Sequence, residues 1–307
     1  MGLALSTAWN SFRYQRASGM LSEIKAVGFK SIELGFSLES GFLAEIESGI
    51  GKEKLEITSL HNFCPVPEGL SKEDALPDYY PMSSLDEDIR QKAIKYGKNT
   101  IDTAQRLRAK AVVLHSGRVD IPDRTKELAT LFKKGLKGTR EYNQLKNSAL
   151  KERQEVFKPY FENTLKSLEV LADYAQEKNL FLGVENRIYI REIPSFEEIG
   201  IILNKFKGAN VFYWHDTGHA QVLENLGFTP HREYLESYSR QMIGLHLHDC
   251  AGTEDHRAPK KGEIDFNLFT PYLSKETLKV IEAHYPSTSQ ELRESKSYLE
   301  TLFNGRL

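Results

Sequence analysis

The chain has 307 residues, 40% hydrophobic and 27% charged, with 41 Lys and Arg against 43 Asp and Glu. A formal net charge of −2 supplies no global pull toward nucleic acid or an anionic membrane. Two cysteines, Cys64 and Cys250, are too few for a disulfide framework and fit a reducing cytoplasm; no run approaches the roughly 20 apolar residues of a membrane span, and the N-terminus lacks a signal-peptide pattern.

The opening Met-Gly-Leu-Ala-Leu-Ser matches a myristoylation pattern, but its apolar run reads more simply as a strand over 2–6. A helix near 18–27 follows, then a strand over 29–34 (FKSIEL) that ends at Gly35. A helical stretch near 38–48 leads to a third strand over 55–60. Residues 62–85 carry Pro65, Pro67, Pro77 and Pro81 and read as a long loop. A helix over 86–108 precedes the fourth strand at 111–115 (AVVLH). Residues 125–180 are strongly helical and read as two helices. Their basic first part (Lys133, Lys134, Lys137, Arg140, Lys146, Lys151, Arg153) reads as a solvated face.

Strands over 181–185, 211–215, 243–248 and 277–281 complete a set of eight. Helical patterns near 195–206, 230–241, 265–273 and 288–303 separate or follow them. Regular alternation of strand and helix argues for a parallel sheet covered by helices. Eight units without a glycine-rich phosphate fingerprint favour one α/β domain over residues 1–307, a (β/α)8 TIM barrel, over a doubly wound sheet.

In such a barrel the chemistry sits where strands end. Glu33 ends the second strand, His61 follows the third, and His115 and Glu185 end the fourth and fifth. Asp216 follows the sixth, with His219 three residues on. His246, His248 and Asp249 belong to the seventh, and Glu282 to the eighth. Each alone has a plainer role as a packed or ion-paired side chain. Together they bring several carboxylates into one small region, which is costly without a cation. Mixed imidazole and carboxylate donors suit zinc, manganese, iron or cobalt better than calcium. His246 and His248 share a strand face. His215 should face the helix layer, His231 the surface or a helix cap, and His284 the substrate or the back of the metal site.

The ordered motifs SLHNF, VVLHSG, LGVENR, HDTGHA, GLHLHDCAGTEDHRAPKKGEIDF and VIEAHY resemble the xylose-isomerase-like TIM barrels. That family includes sugar epimerases, hydroxypyruvate isomerases and endonuclease IV. In the epimerase and isomerase branch the resemblance implies one divalent metal on Glu185, Asp216, His246 and Glu282. It also implies substrate contacts from His219 and Arg257. The endonuclease IV branch implies up to three zinc ions, with His61, His115, His219, Glu254 and His256 as added ligands.

Two functions follow from the resemblance. One is a metal-dependent isomerase or epimerase of a sugar or sugar phosphate, working through an enediolate. Glu185 and Glu282 are then acid and base, while His219, Arg257, Glu33 and His248 face the substrate. The other is a zinc phosphodiesterase acting on abasic DNA, which the mild acidity disfavours. A barrel that only binds is the third reading. The expected partner is a small carbohydrate, with neither nucleic acid nor membrane, and a homo-oligomer is left open. Trp9, Phe63, Tyr189 and Trp214 could form an apolar wall of the site or pack in the core.

Overall fold

A computed structural model describes residues 2–304. The strands are β1 (Leu3–Ser6), β2 (Ser31–Leu34), β3 (Glu56–His61), β4 (Ala111–Leu114), β5 (Phe181–Glu185), β6 (Val211–Asp216), β7 (Met242–Leu247), β8 (Asp249–Ala251), β9 (Glu254–Arg257) and β10 (Leu278–Ile281). Eight of them close a parallel barrel in the order β1-β10-β7-β6-β5-β4-β3-β2. This is a TIM barrel. The other two, β8 and β9, pair antiparallel as a short ribbon that rises from the end of β7.

The covering helices are α1 (Ala17–Val27), α2 (Ser40–Glu53), α3 (Glu87–Arg106), α4 (Arg124–Lys133), α5 (Arg140–Glu177), α6 (Phe196–Lys205), α7 (Thr217–Asn225), α8 (His231–Tyr238) and α9 (Ser289–Asn304). The stretch read as two helices over 125–180 is α4 and the 38-residue α5. The helix expected near 265–273 is instead a run of 3-10 turns with Pro271 inside it; proline removes a donor that an α-helix needs. The sequence reading had no counterpart for α7, which starts on the residue after β6. Its N-cap is Asp216 itself, whose carboxylate accepts from the His219 N–H at 2.7 Å. One aspartate therefore ends a strand, starts a helix and fixes the position of a histidine one turn in.

The alternation of strand side chains sets which residues enter the barrel. Ala4, Ala111, Val113, Trp214, Leu278 and Val280 pack together as an apolar plug. Trp214 fits because its strand neighbours carry no side chains. A Cβ at Gly244 would lie 2.3 Å from the indole, and one at Gly183 2.9 Å from it. One pleat further along come Glu185, Asp216, His246 and Glu282, directly above the plug. The indole packs edge-on to the His246 ring at 5.1 Å between centroids.

Candidate metal centre

His61, His115, His219, His256 and His284 line one cavity of about 250 Å³ at the C-terminal mouth of the barrel, together with Glu185, Asp255 and Glu282. These eight are drawn from five strand ends and the β8–β9 ribbon. Three overlapping donor sets occur here: Glu185, Asp216, His246 and Glu282; His61, His115 and Glu185; and Asp216, His219, His248 and His256. Within each set the donor atoms lie within 4.8 Å of one another.

Hydrogen bonds decide which nitrogens are available. Glu33, fully buried, takes 2.7 Å from Ser59 Oγ on one oxygen and 3.0 Å from His246 Nε2 on the other. A carboxylate only accepts, so His246 Nε2 carries hydrogen and Nδ1 faces the other acids. That Nδ1 lies 2.7 Å from Glu185, 3.0 Å from Glu282 and 3.7 Å from Asp216. By the same logic His61 Nδ1 donates to the Asn62 carbonyl (3.1 Å) and His219 Nδ1 to the Asn186 carbonyl (3.0 Å), leaving each Nε2 free to bind. His248 is different. Its Nδ1 accepts from the His256 N–H at 2.8 Å, so Nε2–H donates to both oxygens of Asp216 at 2.9 Å. It holds the aspartate from behind.

The charges are tightly matched. Burial alone would raise the Glu185 carboxyl, but Arg187, His115 and His246 bring it well below its usual range. Burial works against the Asp216 and Glu282 charges too, and the neighbouring imidazoles overcome it. Burial opposes a charged His246, yet Glu282, Glu33 and Glu185 raise it well above an ordinary histidine. His256 behaves alike and is raised to about 9, mainly by Asp255 against burial. Burial lowers His115 and His284 to about 3, so both are neutral donors at pH 7.

Asn186 ties three candidate ligands together. It follows Glu185, accepts from the Asp216 N–H at 2.7 Å, donates to the Asp216 carbonyl at 3.0 Å and receives His219 on its own carbonyl. Behind it a buried chain runs Tyr213–His215–His231–Gln221, with contacts of 2.7, 3.0 and 3.1 Å. His215 thus sits in the helix layer as expected. His231 does not lie at the surface: it is buried against His215.

Other predicted site residues also stand apart from the cavity. Glu33 and His248 are fully buried and orient His246 and Asp216. Glu254 is exposed and paired with Lys133 (3.0 Å) and Arg257 (3.3 Å). Arg257 lines a neighbouring depression that Asp255, His256 and His284 also border. The inward acid is Asp255, 3.1 Å from His256 and 3.8 Å from His219. Strict alternation along β9 would have put Glu254 and His256 on one face. His256 instead has φ of 54°, a left-handed turn that breaks the pleat and brings both Asp255 and His256 to the cavity. Arg187, which ion-pairs with Glu185 and with Glu192 at 3.1 Å, was visible only as the third letter of Glu-Asn-Arg. Trp9, Phe63 and Trp214 are core; Tyr189 lines the cavity. Arg153, placed by sequence on a solvated face, is buried against Glu198 with contacts of 2.7 and 2.8 Å.

The donor set fits a divalent cation. Four buried carboxylates (Glu33, Glu185, Asp216, Glu282) surround one imidazole, and the unprotonated edges of His61 and His219 are free to bind. His284 Nε2 has no hydrogen-bond partner among the described residues. Without a cation the acids must be balanced by protons on His246 and His256.

The fold is shared with solved sugar epimerases. A D-tagatose 3-epimerase-like protein aligns with a TM-score of 0.68 at 18% identity, covering 99% of this chain and 97% of its own. A 3-keto-D-glucoside 4-epimerase from E. coli gives 0.67 at 14% identity, covering 98% and 99%. The D-psicose 3-epimerase of Clostridium cellulolyticum H10 gives 0.68 at 12% identity, covering 99% of each chain. No curated protein sequence matches significantly. Residues 21–302 match the model of the xylose isomerase-like TIM barrel, and the chain belongs to that family.

Proposed function

We propose that this protein is a divalent-metal-dependent isomerase or epimerase of a small polyhydroxy carbonyl compound. The observation that carries the reading is selective access. Of the four carboxylates around His246, only Glu185 and Glu282 line the cavity; Glu33 and Asp216 are sealed beneath it. Two acids on different strands that face one substrate space can take a proton from one side of a carbon and return one on the other. The names of the structural neighbours, epimerases of tagatose, psicose and a keto-glucoside, support the same class.

Glu185, Asp216, His246 and Glu282 would hold the ion, and zinc, manganese, cobalt and iron all suit these donors. Bound there, the ion supplies Lewis acidity toward a carbonyl and its neighbouring hydroxyl. The protein supplies the rest. Arg187 keeps Glu185 ionised and oriented through its ion pair. His219, held by the Asn186 carbonyl, offers Nε2 to a substrate hydroxyl. His284 offers a neutral imidazole at the same wall. Phe36, Ile188 and Tyr189 give the cavity an apolar side, which limits water around the reacting carbon.

Solvent deuterium exchange tests the proposal. Metal-loaded protein incubated with a panel of ketoses in D2O should wash deuterium into the carbon next to the carbonyl. Glu282→Gln should stop it. No exchange with any ketose, from protein shown to hold metal, would overturn the reading.

One observation favours a second reading, a multinuclear phosphodiesterase. The central donor set shares Glu185 with the His61 and His115 set and Asp216 with the His219, His248 and His256 set, as a cluster of ions bridged by carboxylates requires. Bound zinc near three per chain, with cleavage of an abasic-site duplex, would replace the first reading by this one.

A further inference from the structure

The metal cavity, at about 250 Å³, is below the roughly 300–1,000 Å³ typical of a complete small-molecule site. Next to it lies a groove of about 830 Å³ between α5, the start of α6 and the end of α7. Its walls include Leu150, Phe157, Phe196, Ile201, Leu223 and Phe228. Leu150 and Ile201 are 42% and 50% exposed, so a large apolar surface here faces water.

The groove adjoins the metal cavity across a shared wall. Arg187 and Tyr189 line both. Along α7, His219 faces the cavity and Leu223 the groove; four helical residues separate them by about 6 Å. A ligand whose polar part sits against His219 therefore needs only a short reach past Tyr189 to place a second, apolar part against Leu223, Phe228 and Ile201.

From this adjacency and the apolar walls of the groove we infer that the substrate is a conjugate: a polyhydroxy carbonyl unit at the metal cavity carrying an aryl or alkyl substituent that fills the groove. The inference rests on the isomerase or epimerase reading for the first half of that molecule. The groove half stands on apolar burial alone. Moving a benzyl-sized group from water onto these walls should raise kcat/KM by about 10- to 100-fold over the bare sugar.

Two measurements test the inference separately from the catalytic reading. Deuterium exchange is compared for D-fructose and D-psicose and for their 6-O-benzyl ethers, which keep the carbonyl intact. Binding of 4-fluorobenzyl alcohol is followed by fluorine NMR on the whole protein, with and without metal. Both are repeated with Ile201→Glu, an exposed position outside the catalytic set where a charge is tolerated by the fold. The inference predicts a benzyl advantage that Ile201→Glu removes while exchange into the bare sugar persists, and a fluorine signal that broadens only with wild type. Binding of the alcohol without exchange into any sugar would keep the groove as a ligand site and overturn the catalytic reading. Equal rates for ether and sugar with no binding of the alcohol would overturn the inference. So would concentration-dependent self-association, abolished by Ile201→Glu, in a protein that does not bind the alcohol.

Discussion

The two ends of the barrel interior are built from the same strands and the same alternation, yet they share almost no chemistry. In the lower layer Ala4, Val113, Trp214 and Val280 meet in an apolar plug, with Gly183 and Gly244 making room for the indole. One pleat higher the same strands contribute Glu185, Asp216, His246 and Glu282. The lower layer is closed and depends on volume, whereas the upper depends on charge balance. What the contrast teaches is that the plug is the floor of the site: it excludes water from beneath His246 and holds its ring edge-on against Trp214. Changes in the lower layer should appear as stability, and changes above it as metal affinity and turnover.

The largest effect should come from removing the cavity-facing acid. Glu282→Gln keeps the volume and should lower kcat by about 10²- to 10⁴-fold, while the urea midpoint falls only modestly as His246 and His256 lose one of their acid partners. A large loss of stability with little loss of turnover would break the distinction between the layers. Gly244→Ala tests the other end. Its Cβ would overlap the Trp214 ring, and overpacking of this kind costs about 2–3 kcal/mol, readable from urea unfolding. An unchanged midpoint would show that the plug can shift.

Glu33→Gln probes the seam between them. It leaves the cavity wall intact but weakens the group that fixes the His246 tautomer, so metal affinity should fall about 10- to 100-fold while the fold is kept. Calorimetric titration would read it. The smallest effect is in pH. His246 and His256 have folded pKa values above the unfolded histidine value of about 6.5. Their protonation stabilises the metal-free protein fully below that value, and the contribution fades as pH rises through the folded values, about 9 for His256. The metal-free protein in EDTA should therefore lose Tm between pH 6.5 and 9.5. The metal-loaded protein, whose ion replaces those protons, should lose less.

Much of the upper layer was legible because period-2 spacing and strand ends are local signals. Glu185, Asp216, His246 and Glu282 each close a β-branched or apolar run, and the barrel brings such ends together without long-range detail. The same locality hid the rest. Nothing near Glu254 signals that His256 adopts a left-handed backbone, so the inward acid is Asp255 rather than the residue two before the histidine. Glu33 and His248 carry the right chemistry but face carboxylate and imidazole partners far away in sequence, 213 positions apart for Glu33 and His246. Arg153 looked solvated because its partner, Glu198, lies 45 residues on in a different helix. The groove beside Tyr189 depends on the packing of three helices and leaves no mark in any one of them.

Calorimetric titration of metal-free protein with Mn²⁺ or Zn²⁺ at pH 7, in two buffers of different ionisation enthalpy, addresses the metal centre most directly. The proposed set of Glu185, Asp216, His246 and Glu282 predicts saturable binding of at least one ion per chain. The buffer dependence should show about one proton or more released as His246 gives up Nδ1 to the metal, and Glu185→Gln should weaken the binding sharply. Absence of stoichiometric binding, or binding that releases no proton and ignores Glu185→Gln, would contradict it.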